Sequence, residues 1–288
     1  MSVIKVNNIT NLSGTSGPVI AGIATVSTTS HMVVPTGNTG TRYADGGENI
    51  VKNGLVAYLD VKYSYPNVGG TSKTDTDVYN WYDMTGNGYD GELINFTGIG
   101  TGVGIGTTLG GTINFDGSDD YILISKPISF PKYQSKTISV WFNAELTVLD
   151  GAYNVRLLGF NNNASLSIGN PTNTIGWYSA GASQIASVGI SSNTWYNITY
   201  VFDSNEDNPG THKTYSNGVL GISSTASSAS SLDLAGNINN SPIWIGRYYG
   251  SNNGRFKGKL ANIMIYNRAL TAAEVLQNYN ANKSRFGL

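Results

Sequence analysis

Short runs with a two-residue apolar rhythm, separated by Gly, Asn and Asp, recur along this chain from Gly54 to its end. Leu55, Ala57 and Leu59 alternate with Val56, Tyr58 and Asp60, and Ile138, Val140 and Phe142 alternate with Ser139 and Trp141. Ile198, Tyr200 and Phe202 lie opposite Thr199 and Val201, as Ala261, Ile263 and Ile265 lie opposite Asn262, Met264 and Tyr266. Successive side chains on a strand point to opposite faces, so each run offers one continuous apolar face. That pattern predicts antiparallel strands stacked as two sheets around a shared core. The second faces are not plainly polar, because Trp141, Trp244, Met264 and Tyr266 occupy them. Either loops cover that side, or it is an amphipathic surface for a ligand or a neighbouring subunit.

Composition narrows the function classes. The 288 residues include 36 Gly and no Cys, only 12% are charged, and the net charge is −1. Disulfides and thiolate metal sites are therefore unavailable. Without a Lys/Arg block there is no electrostatic footprint for nucleic acid. The start, Met1 to Lys5, lacks the apolar stretch of a secretory leader, and Val19 to Val26 is too short to span a bilayer. No membrane insertion is expected, and the chain is expected to be made in a cytoplasm without a signal peptide and to reach the outside by lysis.

An ordered series of signatures runs from Phe115 to Leu270. Phe115-Asp116-Gly117-Ser118-Asp119-Asp120-Tyr121 comes first, then Ser139-Val140-Trp141-Phe142 and the stretch Trp195 to Asp203 (WYNITYVFD). Tyr215-Ser216-Asn217-Gly218, Ile243-Trp244-Ile245-Gly246 and Leu260 to Leu270 (LANIMIYNRAL) follow. In that order they resemble the concanavalin A-like, laminin-G-type jelly roll. The resemblance implies an all-β, two-sheet antiparallel sandwich over residues 50–288, with a short C-terminal helix. Thr271-Ala272-Ala273-Glu274 is a capping box that starts such a helix, with Val275, Leu276 and Tyr279 on one face.

Catalytic patterns are hard to find. The laminarinase-type branch of this fold uses Glu-x-Asp-x-x-Glu, and no two of the five glutamates (Glu48, Glu92, Glu145, Glu206, Glu274) stand five residues apart. His31 and His212 are the only histidines, and both read as solvated surface residues. No catalytic residue is therefore assigned, and a non-enzymatic protein is expected.

No cofactor is expected beyond calcium, for which two oxygen-rich turns are candidates. Asp203, Asn205 and Asp207 present oxygens at alternate positions, and Asp116, Asp119 and Asp120 form a second cluster. The simpler reading is that these side chains close Asx-turns. Asp116 can bond the turn amides, and Gly117 supplies a backbone angle that a side chain disfavours. For sugar binding the candidates are exposed aromatic faces: Trp177 with Tyr178, and Tyr248 with Tyr249, with Trp81 and Tyr82 as a further pair.

Residues 1–49 differ from the rest. Their short apolar runs cannot close a core alone, so Ile4, Val6, Ile9, Ile20 and Ile23 need a partner surface. The register IKVNNITN followed by Gly-Thr-Ser-Gly-Pro resembles the N-termini of virion proteins of marine tailed phages. This resemblance implies an attachment and assembly arm. The protein is then expected on a virion surface as a fibre, collar appendage or head decoration. Its partners are other virion proteins and sister subunits, with a trimer favoured. The alternative is a lectin-like module for host surface glycan, assisted by calcium.

Overall fold

The computed structural model describes residues 49–63, 79–96, 111–130, 134–146, 154–161, 164–169, 172–179, 185–205, 208–225, 238–248 and 253–288. The arm residues Ile4, Val6, Ile9, Ile20 and Ile23, together with His31, Asp207 and Tyr249, lie outside the described residues. In chain order the strands begin with β1 (Leu55–Asp60), β2 (Tyr79–Trp81), β3 (Gly91–Ile94), β4 (Ile113–Asp116) and β5 (Tyr121–Phe130). Next come β6 (Lys136–Ala144), β7 (Val155–Asn161), β8 (Ala164–Ile168), β9 (Thr174–Ser179) and β10 (Ile185–Gly189). The last are β11 (Trp195–Asn205), β12 (Asn208–Ser216), β13 (Val219–Thr225), β14 (Ile238–Ile245) and β15 (Lys257–Tyr266). Helix α1 (Ala272–Asn282) and a 3-10 turn, Lys283–Phe286, close the chain.

These strands build two antiparallel sheets. One has the order β1-β15-β6-β11-β12-β13, with β4 also paired to β15; the other runs β10-β9-β8-β7-β14-β5-β3-β2. Ile138, Val140, Phe142, Ile198, Tyr200 and Phe202 from the first sheet share one core with Ile122, Ile124, Leu166, Ile175, Trp177 and Ile243 from the second. The Trp177 ring stacks on Tyr200 across the interior, with centroids 4.5 Å apart and planes within 2°. Burying such large rings contributes about 2–3 kcal/mol each. This is the two-sheet sandwich expected from the two-residue rhythm.

Two local readings change. Ala261 belongs to the outward face, because a register shift between Leu260 and Asn262 lets Leu260 take the inward position. His212 is not a solvated turn residue. It sits on β12 opposite Phe202, fully buried, and shares a 2.6 Å hydrogen bond between Nδ1 and Tyr200 Oη. Burial, with the Lys136 charge adding to it, lowers the His212 pKa to about 4. Lys136 pairs with the same Phe202 on its other side and is equally enclosed, and burial lowers its pKa to about 7.

The outward face of the first sheet is closed by the end of the chain. The capping box forms as expected, with the Thr271 hydroxyl and Glu274 carboxylate serving each other's backbone amides. From α1, Val275 and Asn278 are buried against this face, whereas Leu276 remains 44% exposed. Trp141 stacks on Phe286 at 4.2 Å and on Tyr279 at 5.6 Å. Arg285 forms a forked pair with Asp60, at 2.7 and 3.0 Å, and both are buried. Burial alone lowers the Arg285 pKa, but the Asp60 carboxylate outweighs it and holds the guanidinium above its ordinary value. Tyr58 Oη and Asn262 Nδ2 also donate to Asp60 Oδ2. The second face of this sheet is thus covered, which the sequence alone left open.

Removing one partner of this pair strands a buried charge. Asp60→Ala is expected to lower unfolding free energy by about 3–5 kcal/mol, measured by urea titration. Asp60→Leu combined with Arg285→Met should recover most of that loss; a double variant as unstable as the single one would contradict the account.

Candidate functional site

Among the described residues, the C-terminal helix packs on the first sheet and gives the other sheet's outward face no comparable cover. Cross-strand register lines up Tyr178, Ser165, Gly159, Trp244, Leu123 and Glu92 across β9, β8, β7, β14, β5 and β3. Gly176, Ser167 and Arg156 form a second, parallel row. Small residues therefore floor the middle of the face, with Tyr178 on one side and Trp244 on the other. Three inter-strand steps separate those two rings, about 14 Å.

Arg156 reaches this face because β7 is irregular. Its register shifts between Arg156 and Leu158, so Leu157 and Leu158 both enter the core while Arg156 and Gly159 point outward together. The guanidinium lies over the small floor residues. Its Nη1 donates to Ser165 Oγ at 2.7 Å and Ser167 Oγ at 2.6 Å. Its carbon sits 4.2 Å from the Tyr178 ring centre and 5.0 Å from that of Tyr248. Only 6% of Arg156 is exposed, whereas both tyrosines are half-buried. Burial lowers the Arg156 pKa, and the two phenols oppose that shift. Next along the sheet, Tyr121 stacks on Trp244 at 5.4 Å, and the Arg247 guanidinium lies 3.5 Å from the Tyr121 ring centre. The result is a row of half-buried rings interleaved with two guanidinium groups.

Of the aromatic residues nominated from sequence, Tyr178 and Tyr248 come together around Arg156. Trp177 does not join them: it is fully buried and stacked on Tyr200, because alternation along β9 sends neighbours to opposite faces. Its ring is unavailable for stacking on a sugar. Trp81 is likewise buried in the core. Sequence reasoning missed Arg156, Ser165 and Ser167. The available signal was the strict alternation Ala164-Ser165-Leu166-Ser167-Ile168, which marks the serines as the outward pair of a strand.

The two oxygen-rich turns resolve differently. Carboxylate oxygens of Asp116, Asp119 and Asp120 lie within 4.8 Å of one another, a donor set that suits a hard cation such as calcium. Some of the same oxygens shape the turn: Ser118 N donates to Asp116 Oδ1 at 2.6 Å and Asp116 N to Asp120 Oδ2 at 2.9 Å. Gly117 has φ 79°, the left-handed angle this turn requires. Asp203 instead pairs with Lys213 at 3.4 Å.

The two stacked antiparallel sheets are those of a concanavalin A-like β-sandwich. The chain belongs to the concanavalin A-like lectin/glucanases superfamily, whose family model matches residues 116–276. No curated protein matches the sequence. Among solved structures, the chain is similar to the binding domain of Paraclostridial Mosquitocidal Protein 1 (21% identity, TM-score 0.55), over 79% of this chain and 52% of that one. It is also similar to Domain 4 of AbnA, a GH43 extracellular arabinanase from Geobacillus stearothermophilus solved with arabinotriose (19% identity, TM-score 0.50). That match covers 78% of this chain and 98% of the domain. A mutant Trypanosoma rangeli sialidase displaying trans-sialidase activity matches at 15% identity and TM-score 0.51, over 82% of this chain and 34% of the sialidase. The chain thus spans about half of the mosquitocidal binding domain and a third of the sialidase. At these identities the likenesses establish the fold alone.

Burial raises the Asp120 pKa to about 7; the Asp116 amide opposes the shift, while the Asp116 and Asp119 charges add to it. A raised carboxyl pKa favours the protonated folded state, so this stability is present below about pH 4 and lost as pH rises through 7. Asp120→Asn should flatten the decline in unfolding free energy between pH 4 and 7, followed by urea unfolding at stepped pH. An unchanged slope would contradict that reading of Asp120.

Proposed function

We propose that the protein is a non-catalytic glycan-binding module that uses the outward face of its eight-stranded sheet. The observation that carries this is the arrangement of Tyr178, Tyr248 and Arg156 over a floor of serine and glycine. Flat rings flanked by fixed donors suit the apolar face and hydroxyl rim of a sugar. An acid–base carboxyl pair for hydrolysis is not found among these residues. The arabinanase domain with the same fold is described in complex with arabinotriose, which agrees with this reading. Tyr248→Ala and Trp244→Ala are each expected to weaken binding on a glycan array at least tenfold. Wild-type protein that binds no polysaccharide, with or without calcium, would refute the proposal.

We further propose that the module is displayed on a tailed-phage virion as a fibre, collar appendage or head decoration. The support is the N-terminal sequence: Ile4, Val6, Ile9, Ile20 and Ile23 lie in segments too short to close a core, in a register similar to that of phage virion proteins. On this reading residues 1–49 join other virion proteins or sister subunits in a homo-oligomer, with a trimer favoured, and residues 50–288 project outward. Deleting residues 1–49 is expected to leave a soluble, folded sandwich that no longer appears in purified particles. Normal incorporation of the deletion variant, followed by mass spectrometry of virions, would overturn it.

A further inference from the structure

We propose that the saccharide recognised on this face carries an anionic substituent, a carboxylate or a sulfate ester, and that Arg156 is the residue that selects it. This rests on the glycan-binding reading above and adds the charge of the ligand to it.

The two buried arginines of this protein are unequally paired. Arg156 is as enclosed as Arg285, with 6% and 9% of the residue exposed. Arg285 has the Asp60 carboxylate at 2.7 Å. Arg156 has two serine hydroxyls and two tyrosines that face it with both ring and hydroxyl, and no carboxylate within ion-pair distance among the described residues. Hydroxyls satisfy its hydrogen bonds and rings soften the loss of water, but neither neutralises the charge. A buried cation without an anion is unfavourable, and a fold does not require one here: β7 could keep its strand with an apolar residue in this position. The local arrangement instead holds the group in place. Ser165 and Ser167 lie 2.8 Å apart and both accept from the same Nη1, which fixes the plane of the guanidinium.

Position matches the chemistry. The guanidinium stands between the two half-buried tyrosines nominated for sugar stacking, so an anion on a ring packed against them meets the charge where water is largely excluded. In such a setting a charge-assisted hydrogen bond is about twice as strong as a neutral one. A guanidinium fork matches a carboxylate or a sulfate face, which an ammonium does not. Arg247 lies on the same face, 3.5 Å from the Tyr121 ring centre and 4.7 Å from that of Trp244. Glu92 sits at the far end of the row, three strands from Arg156, and leaves the Arg156 end free of negative charge among the aligned residues.

The test is calorimetric titration of the full chain with two matched pairs of ligands. One pair is trigalacturonic acid and its methyl ester, for the carboxylate; the other is a carrageenan tetrasaccharide and its desulfated form, for the sulfate. At least one acidic member is expected to bind tenfold or more tighter than its neutral partner, with an affinity that falls as salt rises. Arg156→Gln should reduce that acidic ligand to the level of the neutral one, and Arg156→Lys should recover only part of the difference. Thermal melting checks that the variants fold; if they do not, the acid-to-neutral ratio of the wild-type protein still decides. Equal binding of acidic and neutral partners would overturn the assignment of Arg156 while leaving glycan binding intact. Binding of none of the four by a protein that also fails across a glycan array would remove both.

Discussion

Face-to-face burial of two sheets governs where almost every other side chain goes. Side chains alternate along a strand, so placing Ile138, Val140 and Phe142 in the shared core sends Ser139 and Trp141 outward. The same rule sends Ser165, Ser167 and Tyr178 outward once Leu166, Ile175 and Trp177 are committed inward. Each sheet is then left with a second face that must be covered or used. One is covered by the chain's own end, through Trp141 on Phe286 and Asp60 on Arg285. The other keeps a half-buried row of rings and guanidinium groups. That asymmetry is the physical basis for assigning function to the eight-stranded sheet.

The two buried arginines show how similar enclosure leads to different roles. Arg285 is neutralised inside the protein and ties the C-terminal 3-10 turn to β1, an interaction that is strongly destabilising to break from one side. Arg156 has its geometry fixed from within and its charge left uncompensated among the described residues. A structural role accounts for the first and a recognition role for the second. The acidic turn at Asp116, Asp119 and Asp120 stands apart from both, with backbone amides from its own loop taking up part of its oxygens.

Much of the architecture was legible in the sequence because periodicity reports burial directly. The inward sets of β6 and β11, the terminal helix and its capping box all follow from spacing and cap chemistry. Bulges broke the reading where they occurred. The shift near Ala261 swapped its face, and the one near Arg156 placed an arginine outward beside two consecutive core leucines. A bulge adds one residue without changing composition, so alternation alone misassigns everything beyond it. His212 and Trp177 misled for another reason: neighbouring Gly, Pro and Tyr suggested exposure, but pairing with Phe202 and stacking on Tyr200 set their faces. Tyr178 and Tyr248 were visible as single residues. Their meeting at Arg156 depends on strand order, which no local pattern encodes.

Chemical-shift mapping tests the central claim most directly. Amide spectra of the isotope-labelled protein, titrated with an acidic oligosaccharide it binds, should show shifts concentrated in β7, β8, β9 and β14, centred on Arg156, Ser165, Ser167 and Tyr178. Shifts confined to the Asp116–Asp120 turn, or to β15 and the C-terminal helix, would place the ligand elsewhere and contradict the account.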